Sequence, residues 1–576
     1  MGAPNAEDFG PWSPGLASSI PARLRSKATL FDPKHGLVPW AEAEEMARLT
    51  GIREDELATF CARRLAQHRC LIRVTAELQV PDGPRYADLG LNLRAMVSSI
   101  FEKGVKPKLG LVEDAFEALR GDILRIVDEA LGRLVERPSP PQKPTGLFAR
   151  LFGGKAAEPV ARDFDEDIQS ALADLQDRLA QGTGLEAAAL KAVLRVCNGA
   201  MSRRGRIQPA DRGWLATVAV NLVSNTQGDA LVAGLVDPMI DEAIQRLGYR
   251  RLPKQREPVV LNAKGASASG KSTIRNSQQQ IATRLGLDWA HFAIISPDYW
   301  RKYLINYDGL GDDFKYAAML TGQELEIIDK KLDALMAALG TRGDIPHLLI
   351  DRFRFDSFHL PGKQVTDSRL LTRFGSKIYM FFMITDPVET VLRAWSRGLE
   401  TGRYKAVDDL LYHNIEAYSG MPDLFFSWAK VQDRWIHYEF LDNSVPKGNT
   451  PRTIACGSNG VLVIADIDRF CDIERYRHVN VEARRPEEVL KRSLDIDEAM
   501  AIARRACAEL PAVDILVPGT SKPFARARNG EVTLDLEVLP EHIPAMAFHH
   551  YDVSDTALAA PAKGYRAEAI GVDAAG

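Results

Sequence analysis

The sequence predicts an α/β fold in which a parallel sheet with flanking helices follows an all-α N-terminal region. Before residue 250, apolar side chains recur every three or four positions, which is typical of helices with one buried face. After residue 258, short unbroken apolar runs alternate with helical stretches, as parallel strands covered on both faces do. The change of pattern near residue 250 therefore separates a helical part from a part built around a sheet.

The 576 residues are too many for one core, and composition suggests five parts. We expect a helical N-terminal region at 1–136, a linker rich in proline and glycine at 137–160, and a second helical region at 161–250. A sheet-containing domain is expected at 251–450. An α+β extension with a frayed tail is expected at 451–576.

The strands of the sheet are predicted from apolar runs, and one helix start is predicted from a local motif. Thr321-Gly-Gln-Glu324 has the spacing of a capping box that opens a helix to about Leu339. The strands of the parallel part are predicted at 258–263, 291–296, 347–351, 377–385 and 435–441, with further strands at 460–467 and 529–540.

Charge and composition exclude several classes of protein. The 73 basic and 77 acidic side chains give a net charge of −4, so a nucleic-acid partner is not expected. No apolar run approaches 18 residues, which argues against a membrane span. The six scattered cysteines have no metal-binding spacing, and no secretory signal is visible at the N-terminus. We expect reduced thiols and a cytoplasmic protein, although an effector exported by another route is compatible with the same features.

One motif carries recognisable chemistry, GASASGKS at 265–272, which fits the pattern G-x-x-x-x-G-K-[ST]. A predicted strand precedes it and a predicted helix follows it, as a phosphate-binding P-loop requires. Lys271 should reach the β- and γ-phosphates of ATP, and Ser272 should ligate Mg²⁺. The expected nucleotide-binding residues are Gly265, Ala266, Ser267, Ala268, Ser269, Gly270, Lys271, Ser272 and Thr273.

The surrounding motifs favour a small kinase over the other P-loop classes. The N/T-K-x-D element of GTPases is not found on a suitable strand, and the strand at 347–351 ends in Asp351-Arg352 rather than in two acidic residues. Asp298 follows the next strand after the P-loop helix, where a general base for a hydroxyl group would stand. Asp298 also suits a helix N-cap, and Asp351 suits either the Mg²⁺ shell or a cap.

A basic cluster is predicted where a lid over the phosphates would lie. Arg393 and Arg397 are four residues apart on one helix, and Arg403 and Lys405 follow that helix. Arg397 and Arg403 are the candidates for neutralising the phosphoryl group during transfer. Each arginine taken singly is also compatible with a solvated surface position.

The segments GASASGKST, IISPDYWRKYL, HLLIDRF and VLRAWSRGLETGRYKAVDDLLYHN together resemble the zeta-toxin kinase family over roughly residues 255–445. The resemblance implies a P-loop kinase-like fold, ATP and Mg²⁺ as cofactors, and a toxin or effector role with an inhibitory or regulatory protein partner. It implies that Asp298 is the base, that Lys271 and Ser272 serve ATP and Mg²⁺, and that Arg397 and Arg403 bind phosphate.

The acceptor stays open between two nucleotide-like molecules. Family members phosphorylate UDP-N-acetylglucosamine, and a related domain in a plant-pathogen effector phosphorylates NAD. Where the family has Glu-Gly-Thr, this chain has Asp351-Arg352-Phe353 followed by Arg354-Phe355-Asp356, and arginines interleaved with phenylalanines suit an anionic, aromatic ligand. The alternatives are a nucleotide-switched interaction protein without an acceptor, and a polynucleotide 5′-kinase.

Overall fold

The structure, a computed structural model, describes residues 9–135, 164–352, 371–446, 448–490, 492–554 and 556–561. The predicted linker at 137–160 and the last fifteen or so residues of the predicted tail lie outside this description. The chain forms two compact units. One holds Met1–Pro21, Leu71–Val97 and Gly248–Gly576, and the other holds Ala22–Cys70 and Ser98–Leu247. Leu71–Val97 thus groups with the C-terminal half, whereas the predicted linear division places it in the first helical region.

Helices dominate the described residues before position 248. Their apolar stripes are buried as the periodicity predicts, and Val112, Phe116, Ile123 and Val127 of one long helix are at most 1% exposed. No described helix is long and apolar enough to cross a membrane. These helices are α1 (Trp40–Thr50), α2 (Glu54–Leu57), α3 (Ala62–Glu77), α4 (Tyr86–Ile100), α5 (Leu109–Val135), α6 (Phe164–Gln181), α7 (Gly184–Arg204), α8 (Arg212–Val223) and α9 (Asp229–Leu247).

The unit that contains the C-terminal half is α/β, and its sheet is mixed but mostly parallel. The strands are β1 (Val259–Lys264), β2 (Phe292–Ile295), β3 (His347–Asp351), β4 (Lys377–Ile384), β5 (Trp435–Asp442), β6 (Arg452–Ser458), β7 (Val461–Ile464), β8 (Ala512–Leu516), β9 (Pro523–Arg528), β10 (Glu531–Leu534) and β11 (Asp552–Val553). Their order is β11-β10-β9-β8-β7-β6-β5-β4-β1-β3-β2.

Helices connect and cover these strands. They are α10 (Arg275–Arg284), α11 (Arg301–Leu304), α12 (Ala317–Leu320), α13 (Gly322–Thr341), α14 (Pro387–Thr401), α15 (Val407–Ala429), α16 (Ile467–Tyr476), α17 (Ile496–Ala499) and α18 (Ala501–Glu509). On one face of the sheet, Leu261 and Ala263 of β1 pack in a buried cluster with Ile274 and Ile281, the latter from α10. The burial of β1 on both faces explains why its sequence is mostly apolar, with Asn262 and Lys264 as its buried polar residues.

The strands β2, β3, β1, β4 and β5 are parallel neighbours. Their carboxyl ends therefore lie along one edge of the sheet, where ligands of such sheets bind. The register pairs Ala263 of β1 with Asp351 of β3, and Ile350 of β3 with Ile295 of β2. The residues that follow β1, β2 and β3 consequently come together although they are distant in sequence.

The strands predicted for the parallel part are confirmed, with ends that differ by at most one residue. Beyond β5, the strands predicted at 460–467 and 529–540 are confirmed as the shorter β7 and β10. The structure adds β6, β8, β9 and β11, so that the C-terminal residues extend the same sheet. The helix predicted to begin after Thr321 is confirmed as α13, but the predicted capping box is wrong. The Thr321 hydroxyl makes no cap to the start of α13 and instead donates to the carbonyl of Ala317 at 3.0 Å.

Arg352, at the end of β3, is held in a buried ion-pair group. The Arg352 side chain is 3% exposed, its Nη2 donates to Asp333 of α13 at 2.6 Å, and its Nη1 donates to Asp329. The suggestion that Arg352 serves an aromatic, anionic ligand is therefore not supported by its contacts. The other residues of that suggestion, 353–356, lie outside the described residues.

Replacing Arg352 with Met should lower the free energy of unfolding by about 3 kcal/mol, because its buried ion pairs with Asp329 and Asp333 would be lost. Urea denaturation measures the change. Arg342→Met is the matched control, because Arg342 directly follows α13, the helix that carries Asp329 and Asp333. The Arg342 side chain is 60% exposed, so its pair with Asp344 contributes at most about 1 kcal/mol to the free energy of unfolding. Equal effects of both substitutions would contradict the proposed importance of burial.

Candidate functional site

The loop after β1 is a tight turn fixed by the neighbouring strands. Ala268 and Gly270 have left-handed backbone conformations, with φ of 62° and 89°. A Cβ atom at Gly270 would lie 2.1 Å from Nδ2 of Asn443, so a larger residue cannot be accommodated there without movement. The carbonyl of Ser269 accepts hydrogen bonds from Asn443 Nδ2 at 2.8 Å and from Thr385 Oγ1 at 3.0 Å. Residues that follow β4 and β5 thus hold the loop in shape.

Lys271 lies over the loop from which it arises. Its Nζ donates to the carbonyl oxygens of Gly265 and Ala266 at 3.0 and 2.9 Å. Burial lowers the pKa of Lys271, and the charges of Asp351 and Asp298 partly oppose that change. The ammonium group therefore lies where the carboxylates after β2 and β3 act on it, and its predicted contact with the phosphates of ATP stays a prediction.

The remaining loop residues contribute polar atoms of different kinds. The Ser269 hydroxyl is buried and has no hydrogen-bond partner among the described residues. Thr273 is exposed, and its hydroxyl donates to the Gly270 carbonyl at 2.6 Å. Ser267 is half-buried. Ser272 belongs to the turn Lys271–Ile274, but its side chain lies outside what the structure describes, so its predicted contact with Mg²⁺ stays a prediction.

Asp298 follows β2 and is bound by two arginines. Its Oδ1 accepts from Arg301 Nε at 3.2 Å, and its Oδ2 is paired with Arg403. Burial opposes ionisation, but Arg403, Arg301 and Arg397 outweigh it and hold the pKa of Asp298 below its ordinary value. The side chain keeps 38% of its surface exposed. The structure thus brings the predicted base, Asp298, together with both predicted phosphate-binding arginines.

Arg301 is a member of this group that the sequence analysis missed. It lies three residues after Asp298, a spacing that brings side chains together on a helical turn. Its Nη1 donates to Thr321 Oγ1 at 2.9 Å and to the Ala318 carbonyl, which fixes the guanidinium beside Asp298. The negative charge of Asp298 is therefore held by one well-anchored arginine and by Arg403, which arises from a different element.

Arg403 follows α14, and of the two arginines predicted beside it on that helix only Arg397 contacts it. Gly402, with φ of 75°, ends the helix, and Arg397 Nε donates to the Arg403 carbonyl at 3.4 Å. Arg393 does not join them. It donates to the carbonyls of Asn443 and Val445 at 2.6 and 2.8 Å and so ties α14 to the end of β5.

Lys405, predicted as a member of the basic cluster, precedes α15 and contacts titratable side chains of that helix. Its Nζ lies 3.2 Å from Asp409 and 2.6 Å from Nδ1 of His413. Burial lowers the pKa of Lys405 to about 8 and that of His413 to about 2, the latter also through the charge of Lys405. One turn further, burial raises the pKa of Glu416 to about 7, and its Oε2 lacks a partner among the described residues.

Asp351, the predicted metal ligand, is half-buried at the end of β3. Burial raises its pKa, while the nearby cations Lys271 and Arg275 favour its ionised form. The described residues contain no cluster of three or more His, Cys, Asp or Glu side chains that would hold a metal ion by protein ligands alone. The predicted role of Asp351 in the shell of a Mg²⁺ ion therefore stays a prediction.

The six cysteines of the chain are all free, as predicted.

Two residues at the edge of the sheet, Thr385 and Asn443, were missed by sequence reasoning although each is a polar residue directly after a buried strand.

Comparison with protein-family models, with curated proteins and with solved structures finds no match to this chain. The site is consequently interpreted from its own geometry.

Glu416→Gln should remove a pH dependence of stability. In the folded protein Glu416 keeps its proton up to about pH 7, whereas in the unfolded chain it loses the proton near its ordinary pKa of 4.5. Its contribution to stability is therefore present below pH 4.5 and lost as the pH rises to 7. Relative to the variant, the wild type should lose stability between pH 5 and pH 8 in urea denaturation.

The matched control is Glu400→Gln, because Glu400 is exposed on α14. This control should leave the pH dependence of the wild type unchanged. A constant difference in stability between wild type and Glu416→Gln across pH 5–8 would contradict the assignment of the titration to Glu416.

Proposed function

We propose that this chain is an ATP- and Mg²⁺-dependent kinase that transfers the γ-phosphate to a hydroxyl group of a small nucleotide-like metabolite. The observation that carries the proposal is the position of Asp298. This carboxylate follows β2, carries ion pairs to Arg301 and Arg403, and acts electrostatically on Lys271 of the loop after β1. A base, two or three arginines and a phosphate-binding loop are the parts that phosphoryl transfer requires.

The architecture supports a P-loop kinase-like fold for the part of the chain at 251–450. The loop 265–270 connects a central parallel strand, β1, to a 3₁₀ turn and helix α10, whose N-terminal end favours anions. The loop is held at a fixed shape by Asn443 and Thr385. The buried, unpartnered hydroxyl of Ser269 fits a phosphate oxygen that would supply its missing hydrogen bond.

Each residue has a defined task in this reaction. Lys271 exchanges its two carbonyl acceptors in the loop for phosphate oxygens of ATP. Asp351, with the Ser272 hydroxyl, would hold Mg²⁺, which supplies charge neutralisation between the β- and γ-phosphates. Arg397 and Arg403 neutralise the equatorial oxygens of the γ-phosphoryl group as it moves.

The chemical step follows from the position of Asp298. The carboxylate accepts the proton of the acceptor hydroxyl, whose oxygen forms the new bond to the γ-phosphorus while the bond to the bridging oxygen of ADP breaks. In the structure Arg403 pairs with this carboxylate and makes it a weaker base. Movement of Arg403 onto the phosphate raises the pKa of Asp298, so the base becomes competent when ATP is in place.

The similarity of the motifs to zeta-toxin kinases leads to a choice of acceptors, an NAD-type dinucleotide or a UDP-sugar, and to a role as a toxin or effector. Incubation with γ-labelled ATP, Mg²⁺ and a small-molecule metabolite extract would identify the labelled product. Label on a polynucleotide would favour a polynucleotide 5′-kinase. ATP binding without any labelled acceptor would favour a nucleotide-switched interaction protein.

Asp298→Asn should reduce phosphoryl transfer by about 10²- to 10⁴-fold while ATP still binds, because the amide cannot accept the proton. Transfer is measured with γ-labelled ATP, and binding is measured by isothermal titration calorimetry. Asp308→Asn, at an exposed position soon after α11, is the control that should keep full activity. Transfer at the wild-type rate by Asp298→Asn would exclude Asp298 as the base.

Lys271→Met should instead weaken ATP binding by about tenfold or more, because a charge-assisted contact with phosphate is lost. The same calorimetric titration measures the change. Lys330→Met, on an exposed position of α13, provides a charge-matched control with unchanged affinity. If both variants bind ATP as the wild type does, the loop at 265–272 is not the nucleotide site.

A further inference from the structure

The segment Leu71–Val97, here called the inserted segment, belongs to the same compact unit as the proposed kinase part. It is joined to the chain that leads into β1. Gln79 N donates to the Arg250 carbonyl at 2.9 Å, Leu252 N donates to the Glu77 carbonyl at 2.8 Å, and Arg251 pairs with Glu77 at 2.8 Å. Both main-chain and side-chain contacts therefore place the inserted segment beside the start of the central strand.

Asp82 of the inserted segment contacts the helix that leaves the P-loop. Its Oδ2 accepts from Gln279 Nε2 of α10 at 3.3 Å and from Trp289 Nε1 at 3.2 Å. Its Oδ1 lies 3.8 Å from Arg275 Nη1, and the two side chains are 6% and 8% exposed. A buried carboxylate with three partners on two elements fixes the orientation of α10 with respect to the inserted segment.

Arg94 of α4 contacts the turn that carries Asp298. Its Nη1 donates to the carbonyl of Tyr299, the residue after Asp298, at 3.2 Å. One turn earlier on α4, Gly90 allows the ring of Tyr299 to approach, because a Cβ atom there would lie 2.6 Å from Tyr299 Cδ1. Arg275 donates to the Tyr299 hydroxyl at 3.1 Å. Tyr299 is thus held at its carbonyl, its ring and its hydroxyl.

Burial of the Arg94 guanidinium costs free energy that a hydrogen bond to a neutral carbonyl recovers only in part. The guanidinium is half-buried, burial lowers its pKa, and the hydrogen bond described above goes to a neutral carbonyl. The phenol of Tyr307 interacts electrostatically with Arg94 and also with Asp298, Arg301 and Arg403. Arg94 consequently stands at the border of the proposed catalytic group without an ion pair to Asp298.

We propose that Arg94, on α4 of the inserted segment, is a positioning residue that holds the Pro297–Tyr299 turn so that Asp298 meets the acceptor hydroxyl. This inference rests on the proposed kinase function. Asp82 contacts Arg275, Arg275 contacts Tyr299, and Arg94 contacts Tyr299 as well. These contacts fix the position of Asp298 relative to α10, the helix that leaves the P-loop. A region that is distant in sequence thereby sets the geometry of transfer.

The test uses the full chain with γ-labelled ATP and the metabolite extract that labels in the wild type. Arg94→Ala should lower kcat by about tenfold or more with the KM for ATP within about twofold, because a displaced base slows the chemical step while the P-loop stays intact. Arg94→Lys, which can still donate to the carbonyl, should recover part of the rate. Arg85→Ala is the control, since Arg85 is 79% exposed and pairs with Asp88.

Gly90→Ala provides a second variant that keeps the charge of Arg94 and displaces the Tyr299 ring, and it should lower kcat in the same way. Hydrogen exchange gives a readout that does not depend on activity. Backbone amides at 298–300 should exchange faster in Arg94→Ala than in the wild type or in Arg85→Ala. A wild-type kcat in both Arg94→Ala and Gly90→Ala, with or without faster exchange, would overturn the assignment of Arg94 as a positioning residue.

Failure of the proposed function would look different. If the wild type labels no acceptor, the kinase proposal fails as a whole, and faster exchange in Arg94→Ala then shows a structural contact only. If the wild type labels an acceptor and Arg94→Ala lowers kcat and raises the KM for ATP equally, or Arg94→Lys shows no recovery, positioning of Asp298 is rejected while the kinase function stands.

Discussion

Competition for one carboxylate organises the edge of the sheet where β1, β2 and β3 end. Asp298 attracts Arg301 and Arg403, and its charge also acts on Lys271, which is meanwhile bound to carbonyls of its own loop. The partners of these cations can be exchanged for those of a polyanion. Because the positive charges are already oriented toward this edge of the sheet, such an exchange needs little reorganisation.

The sheet could be predicted from the sequence because parallel strands buried on both faces leave an unmistakable apolar signal. Every residue of Val259–Lys264 is buried, and in Lys377–Ile384 only the terminal Lys377 is exposed. Neither segment therefore shows the alternation of apolar and polar residues that marks a half-exposed strand. The strands beyond β5 were less accessible to prediction. Arg452–Ser458 mixes polar and small residues, and its identity as a strand depends on the antiparallel partner that it finds in β5.

Asp298, Arg397, Arg403 and the loop at 265–272 could be chosen as candidates because each has a local signature in the sequence, and the structure brings Asp298 and Arg403 together. Their mutual geometry could not be predicted. Gly402 turns the chain after α14 so that Arg403 reaches Asp298, whereas Arg393, equally basic and on the same helix, points to carbonyls at the end of β5. Nor does any local pattern show that Arg94, some 200 positions earlier in the chain, contacts Tyr299. Such pairings are decided by tertiary packing, which one sequence does not display.

The continuity of the sheet has a practical consequence for work on this protein. Because β6 pairs with β5 along most of its length, a chain shortened near residue 450 would leave β5, an eight-residue strand with a mostly buried sequence, with unpaired N–H and carbonyl groups at the sheet edge. Edges of that kind recruit strands from other molecules and lead to aggregates. The residues after 450 therefore act as a protective cover for the parallel strands, whatever further task they perform.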